Sequence, residues 1–113
     1  METPRDAESL ARLWIEKWNE GRPEEIPLAE GFRHASPYGV IEGRQVYMDA
    51  VKPMAEASVT SLEIRRTVGG EADAAVWYRM TTGGVDVECC DWIQAEGGEI
   101  TAITAFYDAT ELR

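Results

Sequence analysis

The stretch Val85-Asp86-Val87-Glu88-Cys89-Cys90-Asp91-Trp92-Ile93 alternates in the way a β-strand does. Successive side chains of a strand point to opposite faces, so one face carries Val85, Val87, Cys89, Asp91 and Ile93. Four of these five are apolar, and the fifth is a carboxylic acid. A carboxyl group on a core face needs hydrogen-bond partners, a raised pKa or an open cavity. Either the register is shifted by one residue, or Asp91 is a satisfied structural residue, or Asp91 lines a pocket.

The composition is that of one small globular domain spanning residues 1–113. Apolar residues make up 44% of the chain, and no stretch approaches the roughly 20 apolar residues of a membrane span. The formal charge of −10 disfavours nucleic acid and anionic membranes as partners, since both attract basic proteins. Residues 1–6 lack the basic start and apolar run of a signal peptide, so we expect a cytoplasmic protein.

The residues that usually hold metals and cofactors are scarce. His34 is the single histidine, and Cys89 and Cys90 are the two cysteines. Neighbouring cysteines in a strand point to opposite faces, so they do not easily form a disulfide bond. The glycine pairs at 69–70, 83–84 and 97–98 are typical of turns rather than of a phosphate-binding loop. The sequence therefore predicts no metal and no cofactor.

The first half of the chain is predicted to be mostly helical. Thr3 as N-cap, Pro4 at the first helical position and Asp6 in the first turn predict a helix start. That helix has an apolar face and ends near Gly21, and its apolar residues are Leu10, Leu13, Trp14 and Trp18. Residues 23–28 form at most a short second helix. A third helix starts near Arg44 and is bent or stopped by Pro53, with the apolar stripe Val46, Tyr47, Ala50, Val51 and Met54.

The second half alternates as strands do. Residues 60–68, 74–81, 85–93 and 100–108 are four predicted strands joined by the three glycine pairs, which is the pattern of an antiparallel meander. In the first of these strands, the pattern puts Leu62, Ile64 and Val68 on one face. Residues 32–36 are a short additional strand, and residues 38–43 are predicted to be a loop. Helices followed by a run of strands indicate an α+β fold.

This order of elements resembles the nuclear-transport-factor-2-like fold, a cone in which a curved antiparallel sheet wraps around about three N-terminal helices. Four local motifs carry the resemblance in the right order: Trp14-x-x-x-Trp18-Asn19-x-Gly21, Ser36-Pro37-Tyr38-Gly39 with Glu42-Gly43-Arg44, Asp91-Trp92-Ile93 with Gly98-Glu99-Ile100, and Phe106-Tyr107-Asp108. The most similar branch is the SnoaL-like group, named for polyketide cyclases. The fold hosts unrelated functions, so activity has to be argued from the site.

The resemblance implies roles for a few positions. Asp91 falls where the ketosteroid isomerase branch has a protonated aspartate in its oxyanion hole. That branch has a tyrosine where this chain has Trp14 and a general-base aspartate where it has Ser36, so steroid isomerisation is disfavoured. Limonene epoxide hydrolases have a catalytic aspartate where this chain has Ala105, which disfavours that reaction too. Cyclases of the SnoaL group use an aspartate acid/base in the same pocket, a role that Asp91 would fill.

If Asp91 faces the interior of the cone, parity selects its neighbours. Val87 and Cys89 share its strand face, and the inward residues of the last strand are Ile103, Ala105 and Tyr107. The turn at Gly83-Gly84 decides the preceding strand. A two-residue turn pairs Tyr78 with Cys89 and places Tyr78 inward, whereas a three-residue turn places Trp77 and Arg79 inward.

Polar residues of the short strand complete the predicted pocket. His34 and Ser36 would face the cavity, and Tyr38 and Tyr107 would offer phenolic hydrogen bonds. A histidine near Asp91 would form a pair with pKa values pulled apart. For Cys89, inert packing is favoured over a role as nucleophile because an apolar face raises the pKa of a thiol.

The sequence thus favours a cofactor-free enzyme that performs cyclisation, isomerisation or hydration on a small apolar molecule. The predicted catalytic residues are Asp91, His34 and Tyr78. The predicted ligand-binding residues are Trp14, Ser36, Tyr38, Val87, Cys89, Ile103, Ala105 and Tyr107. Two other functions stay open: a protein that holds a hydrophobic ligand without chemistry, and a purely structural dimerisation domain. We also expect a homodimer through the outer sheet face, where the large apolar residues are Trp77, Trp92 and Phe106.

Overall fold

Two α-helices pack against one six-stranded sheet in the computed structural model. It describes residues 6–57 and 61–108, and at 54–57 it describes the backbone alone. The helices are α1 (Ala7–Asn19) and α2 (Arg44–Ala57), and a single 3₁₀ turn spans Pro23–Glu25. The strands are β1 (Leu28–Ser36), β2 (Gly39–Glu42), β3 (Ser61–Gly69), β4 (Asp73–Thr82), β5 (Val85–Glu96) and β6 (Glu99–Tyr107). No helix in the described ranges combines the length and hydropathy needed to cross a membrane.

The sheet has the strand order β2-β1-β6-β5-β4-β3. Strands β3 to β6 form the predicted antiparallel meander, and the α+β class is confirmed. Strand β1 lies parallel to β6, so the sheet is not antiparallel throughout. The described residues contain two α-helices rather than about three, and α2 follows β1 in the predicted order, with β2 as an additional strand between them.

The predicted loop at residues 38–43 is wrong, because residues 39–42 form β2. Ser36 pairs with Gly39, so Pro37 and Tyr38 are the two residues of a tight turn. Gly39 has a φ of 126°, which a residue with a side chain rarely adopts. Pro37 does end β1 as expected, but the chain folds straight back on itself.

Helix α1 begins at Ala7 rather than at Pro4, and Asp6 is its N-cap instead of a first-turn residue. The Asp6 carboxylate accepts a hydrogen bond of 2.8 Å from the backbone N–H of Ser9, which satisfies one of the free donors at the helix start. The predicted cap at Thr3 lies outside the described residues.

Helix α2 uses a narrower apolar face than its sequence predicts. Tyr47 and Val51 are buried, one turn apart, whereas Val46 and Ala50 are exposed. The side chain of Met54, the last member of the predicted stripe, lies outside the described residues. Pro53 does not end the helix, which continues to residue 57. It removes one backbone donor, and the carbonyl that loses its partner belongs to the exposed Asp49.

Two β-bulges change the predicted strand faces. A register shift between Ile64 and Arg66 adds one residue to β3, so Thr67 turns inward and Val68 is exposed rather than sharing the face of Leu62 and Ile64. A second shift lies between Gln94 and Ala95, opposite β6. Because of it Ile100 is fully buried, whereas an unbroken alternation along β6 would place it on the outer face with Phe106.

The outer face of the sheet exposes three large apolar side chains. Trp77, Trp92 and Phe106 are 46%, 47% and 58% exposed. Each indole N–H is tied to a carboxylate on the neighbouring strand, Trp77 to Glu88 at 3.2 Å and Trp92 to Asp73 at 3.3 Å. These side chains form the surface on which the homodimer prediction depends.

Replacing Gly69 with alanine should destabilise the protein. Gly69 has a φ of 149°, and a Cβ there would lie 2.5 Å from the Ala74 Cα and 2.6 Å from the Asp73 carbonyl oxygen. We expect Gly69→Ala to lower the free energy of unfolding by more than about 1 kcal/mol. Gly70→Ala is the matched control, because a Cβ at Gly70 meets nothing within 4 Å. Equal urea midpoints for the two variants would contradict this account of the β3–β4 turn.

The homodimer prediction can be tested by light scattering with and without Phe106→Glu. A charge in the centre of an apolar interface should dissociate the dimer. Val46→Glu, at an exposed apolar position on α2, is the control and should leave the dimer intact. A monomer mass for the unaltered protein at high micromolar concentration would exclude the dimer.

Candidate functional site

A cavity of about 600 Å³ lies between the two helices and the inner sheet face. Seven aromatic side chains line it: Trp14, Trp18, His34, Tyr38, Tyr47, Tyr78 and Tyr107. The aliphatic lining is Ile41, Val51, Leu62, Met80 and Ala105, and the small polar groups are Ser36, Thr82 and Cys89. Asp91 is the one carboxyl group among these residues. This is the shape and composition of a site for a small, mostly apolar molecule.

Asp91 lies in the cavity wall with 1% of its surface exposed, and it is the one buried charged residue in the described part of the chain. The Trp14 indole N–H donates to its Oδ2 at 3.1 Å. The Tyr78 hydroxyl lies 3.2 Å from Oδ1 and 3.1 Å from Oδ2. The strand partners of Asp91 are Val76 and Ala105, whose modest side chains leave room for Trp14 to reach the carboxyl group from α1.

The two-residue turn at Gly83-Gly84 sets this geometry. It pairs Tyr78 with Cys89 and Val76 with Asp91, the first of the two registers considered from sequence. Both glycines have positive φ, 58° and 82°, as a tight hairpin turn of this kind requires. Tyr78 is therefore buried beside Asp91, whereas Trp77 faces out.

Burial raises the pKa of Asp91 from 3.8 to about 7, while the hydrogen bonds from Tyr78 and then Trp14 act in the opposite direction. A carboxyl group with this pKa is present in both protonation states near neutral pH, which suits a general acid or base. The pKa of Tyr78 is raised well above 10, by burial first and by Asp91 second. Tyr78 therefore keeps its proton and remains a hydrogen-bond donor.

The indole of Trp14 decides which oxygen of Asp91 carries the proton. An indole N–H can only donate, so Oδ2 accepts a hydrogen bond in either protonation state. A proton on the carboxyl group then lies on Oδ1, next to the Tyr78 hydroxyl. When Tyr78 accepts from Oδ1, its own hydrogen is free to point at a ligand.

His34 lines the cavity but does not bond directly to Asp91. Its ring stacks on Tyr47 with 4.9 Å between centroids and lies 6.2 Å from the Trp14 ring, so Trp14 contacts both His34 and Asp91. Burial lowers the pKa of His34 to about 4, which leaves the imidazole neutral at physiological pH. In the described residues its ring nitrogens have no hydrogen-bond partner, so they are available to a ligand.

The remaining predicted residues divide into two groups. Ser36, Tyr38, Cys89, Ala105 and Tyr107 line the cavity, whereas Val87 and Ile103 are buried in the core and are not part of its lining. Tyr38 is exposed and its ring lies 6.3 Å from that of Tyr107, so the cavity reaches the surface there.

The properties of Cys89 and Tyr107 follow from their burial. Burial raises the pKa of Cys89 to about 12, a value that suits packing rather than nucleophilic attack. The pKa of Tyr107 is raised mainly by burial, against the lowering effect of the Ser36 hydroxyl.

Sequence reasoning did not assign several lining residues to the site. The sequence puts Tyr47 on the apolar stripe of α2 and Trp18 on the apolar face of α1, and both line the cavity. Helical periodicity shows which face is apolar, but it does not show whether that face meets a side chain or an empty space. The other unassigned lining residues are Ile41, Val51, Leu62, Met80 and Thr82. In residues 6–57 and 61–108 no three His, Cys, Asp or Glu side chains are grouped as a metal site requires.

The sequence profile of the SnoaL-like domain matches residues 11–103. The chain belongs to the SnoaL-like family. The matched residues run from the middle of α1 into β6 and so include both donors to Asp91. Comparison with curated proteins finds no match.

Solved structures of other SnoaL-like and nuclear-transport-factor-2-like proteins share this fold. A protein of unknown function from Cytophaga hutchinsonii is 22% identical, covers 99% of this chain and 98% of its own, and superposes with a TM-score of 0.83. A candidate ketosteroid isomerase from Kribbella flavida is 23% identical over 90% of this chain and 77% of its own, at 0.78. A candidate SnoaL-like polyketide cyclase from a Jannaschia species is 12% identical over 99% and 94%, at 0.79. At these identities the likeness establishes the fold alone.

The raised pKa of Asp91 should appear in the pH dependence of stability. Between pH 3.8 and about 7 the folded protein keeps a proton that the unfolded chain releases, so Asp91 lowers the free energy of unfolding as pH rises. His34, with its pKa lowered from 6.5 to about 4, acts in the opposite direction. Asp91→Asn should remove only the first effect. The free energy of unfolding of the variant should therefore rise relative to that of the wild type by up to about 4 kcal/mol across that window. Urea denaturation at a series of pH values measures the difference, and a difference independent of pH would contradict the raised pKa.

Ala105→Leu should fill part of the cavity. Ala105 lies opposite Asp91 on β6 and lines the space between them and the helices. We expect weaker ligand binding with a change in stability of no more than about 1–3 kcal/mol. Ala105→Asp is the companion variant, because a second carboxyl group across the strand pair should raise the pKa of one of the two. NMR titration measures both, and independent titration near the usual values would show that they do not share a cavity.

Proposed function

We propose that this protein performs cofactor-independent acid/base chemistry, namely cyclisation, isomerisation or hydration, on a small and largely apolar substrate bound in the cavity. The observation that carries the proposal is the position of Asp91. It is a buried carboxyl group with a pKa of about 7, in the wall of an otherwise uncharged cavity, held by two hydrogen-bond donors. Such groups are rare outside functional sites because burial of a carboxyl group is costly.

The geometry suggests how the proton moves. Ionised Asp91 takes a proton from the substrate on Oδ1, while Trp14 holds Oδ2 and keeps the group in one orientation. Tyr78 then accepts a hydrogen bond from the protonated Oδ1 and donates its own hydrogen to the oxygen on which charge develops. His34 and Tyr107 are neutral groups in the same wall that would orient polar atoms of the substrate.

The comparisons are consistent with this chemistry. Two of the structural relatives are named as a candidate ketosteroid isomerase and a candidate polyketide cyclase. Both names denote enzymes whose reactions move protons next to carbonyl groups. The fold alone carries no activity, so the class of reaction rests on Asp91 and its surroundings and not on these names.

A second function is favoured by one observation. Ser36 and Ala105 line the cavity where related enzymes carry carboxylates, which leaves Asp91 as the one carboxyl group in the described lining. A protein that holds a hydrophobic ligand without converting it would need no second acid. Binding without turnover is the outcome that would favour this alternative.

The first experiment is to identify a ligand that co-purifies with the protein by native mass spectrometry. In parallel, cyclic ketones and β-keto esters serve as probes, and NMR in D₂O follows the exchange of the hydrogens next to their carbonyl groups. Exchange that depends on the protein, with an inflection near pH 7, is the result expected for Asp91 as the base.

Asp91→Asn should abolish this exchange, with a loss of about 10²–10⁴-fold, while the variant still folds and binds the probe. The asparagine oxygen can accept from Trp14 and its NH₂ group can donate to the Tyr78 hydroxyl, so neither polar atom of the new amide is left without a partner. Asp86→Asn, on the exposed face of the same strand, is the control and should retain full exchange. Equal exchange in both variants would rule out Asp91 as the catalytic base.

A further inference from the structure

The described lining of the cavity contains no lysine and no arginine. Its one histidine, His34, is partly buried among aromatic rings, and this desolvation keeps it neutral. An anionic ligand would therefore find no opposite charge in this cavity, and it would lie near the carboxyl group of Asp91. Such a ligand would lose its water without gaining an opposite charge, which makes its binding unfavourable.

The groups that hydrogen-bond to Asp91 favour its ionised form. Trp14 can only donate, and it donates to Oδ2. Tyr78 lies within hydrogen-bond distance of both oxygens. Two neutral donors aimed at one carboxyl group favour the ionised form, and the ionised form attracts a positive charge.

Aromatic side chains make up a large part of the remaining wall. The rings of Trp14, Trp18, Tyr47 and Tyr107 come from α1, α2 and β6 and surround the same space as Asp91. Aromatic faces carry partial negative charge and attract alkylammonium groups, most strongly where water is excluded. The formal charge of −10 on the whole chain raises the local concentration of cations in the same sense.

We propose that the cavity selects ligands with a positive charge, namely amines in the ammonium form attached to a small apolar group. This inference rests on the proposed function in that it concerns the same cavity and the same carboxyl group, and it names the class of ligand. The apolar group fills the aliphatic side of the cavity, and the ammonium group lies against the aromatic rings near Asp91. A neutral substrate would instead accept a hydrogen bond from the protonated acid.

The two kinds of ligand respond to pH in opposite directions. The groups that face Asp91 are Trp14 from α1, Tyr47 from α2, Tyr78 from β4 and Cys89 from β5, with His34 and Tyr107 farther along the wall. The tyrosines and Cys89 titrate above neutral pH, and His34 titrates near pH 4. A change in affinity between about pH 6 and about pH 8 is therefore assigned to Asp91.

The test uses three probes of similar size and different charge: benzylamine, benzyl alcohol and phenylacetate, each titrated by calorimetry. Benzylamine stays cationic throughout this range. Its affinity should rise about tenfold from pH 6 to pH 8, the factor by which the ionised fraction of a group with a pKa of about 7 increases. Benzyl alcohol should bind more weakly than benzylamine at pH 8, and phenylacetate should bind least.

Asp91→Asn should remove the pH dependence of benzylamine binding and lower its affinity at pH 8 to that of benzyl alcohol. Asp86→Asn removes one charge from the outer surface and should leave both affinities within about twofold. A ¹³C NMR titration of the Asp91 carboxyl group gives a second readout on the unaltered protein, because bound benzylamine should lower its pKa.

Three results would overturn the inference: tighter binding of benzyl alcohol than of benzylamine at pH 8, benzylamine affinity that falls as pH rises, or an Asp91 pKa unchanged by benzylamine. The first two leave the proposed acid/base chemistry standing with a neutral substrate. If all three probes fail to bind while ketone exchange still depends on Asp91, the inference fails alone. If exchange is absent as well, the proposed function fails with it.

Discussion

The hydrogen bond from the Trp14 indole to Asp91 joins the first helix to the centre of the sheet. A carboxyl group with almost no exposure is unfavourable by several kcal/mol unless donors compensate for lost water. Tyr78 supplies one donor from the neighbouring strand and Trp14 supplies the other from across the core, so the position of α1 over β5 and the burial of Asp91 depend on each other. The cavity is the space left beside this contact, where the small side chain of Ala105 does not fill the sheet face.

The same contact explains why Asp91 is not held in its ionised form. Where a buried carboxylate is paired with arginine or lysine, its pKa falls and it stays ionised. Here the partners are an indole and a phenol, which partly compensate for burial but carry no charge, and the pKa remains high. The aromatic rings around His34 also carry no charge, and burial among them lowers the pKa of His34 and keeps it neutral.

Much of this arrangement could be predicted from the sequence, because period-two patterns and glycine turns are local. The alternation through Asp91 left two registers for the hairpin at Gly83-Gly84, and the structure has the two-residue turn that places Tyr78 on the inner face. The errors at Val68 and Ile100 have a common cause. Each is separated by a β-bulge from the residues that set the predicted face, and one extra residue reverses the parity beyond it without leaving a mark in the hydrophobic pattern.

What could not be predicted is the meeting of residues that lie far apart in the chain. Trp14 was expected at the ligand, and its bond to Asp91 joins positions 77 residues apart. Helix faces were also misjudged, since Val46 fits the α2 stripe but projects into solvent. Whether an apolar face meets another side chain or an empty space is decided by the volumes of distant residues, which no local window contains.

The two-residue turn between β4 and β5 has a consequence for how such a site can diverge. Because inward and outward residues alternate on both strands, a single-residue insertion there would exchange Tyr78 for Trp77 in the cavity and place an indole where a phenol now holds the acid. A one-residue change of length in this hairpin would therefore replace the group that holds Asp91 in a single step. Gradual divergence has to proceed by substitution at fixed positions, or by length changes in the turn between β1 and β2, which lies at the same end of the sheet and carries Tyr38 at the surface.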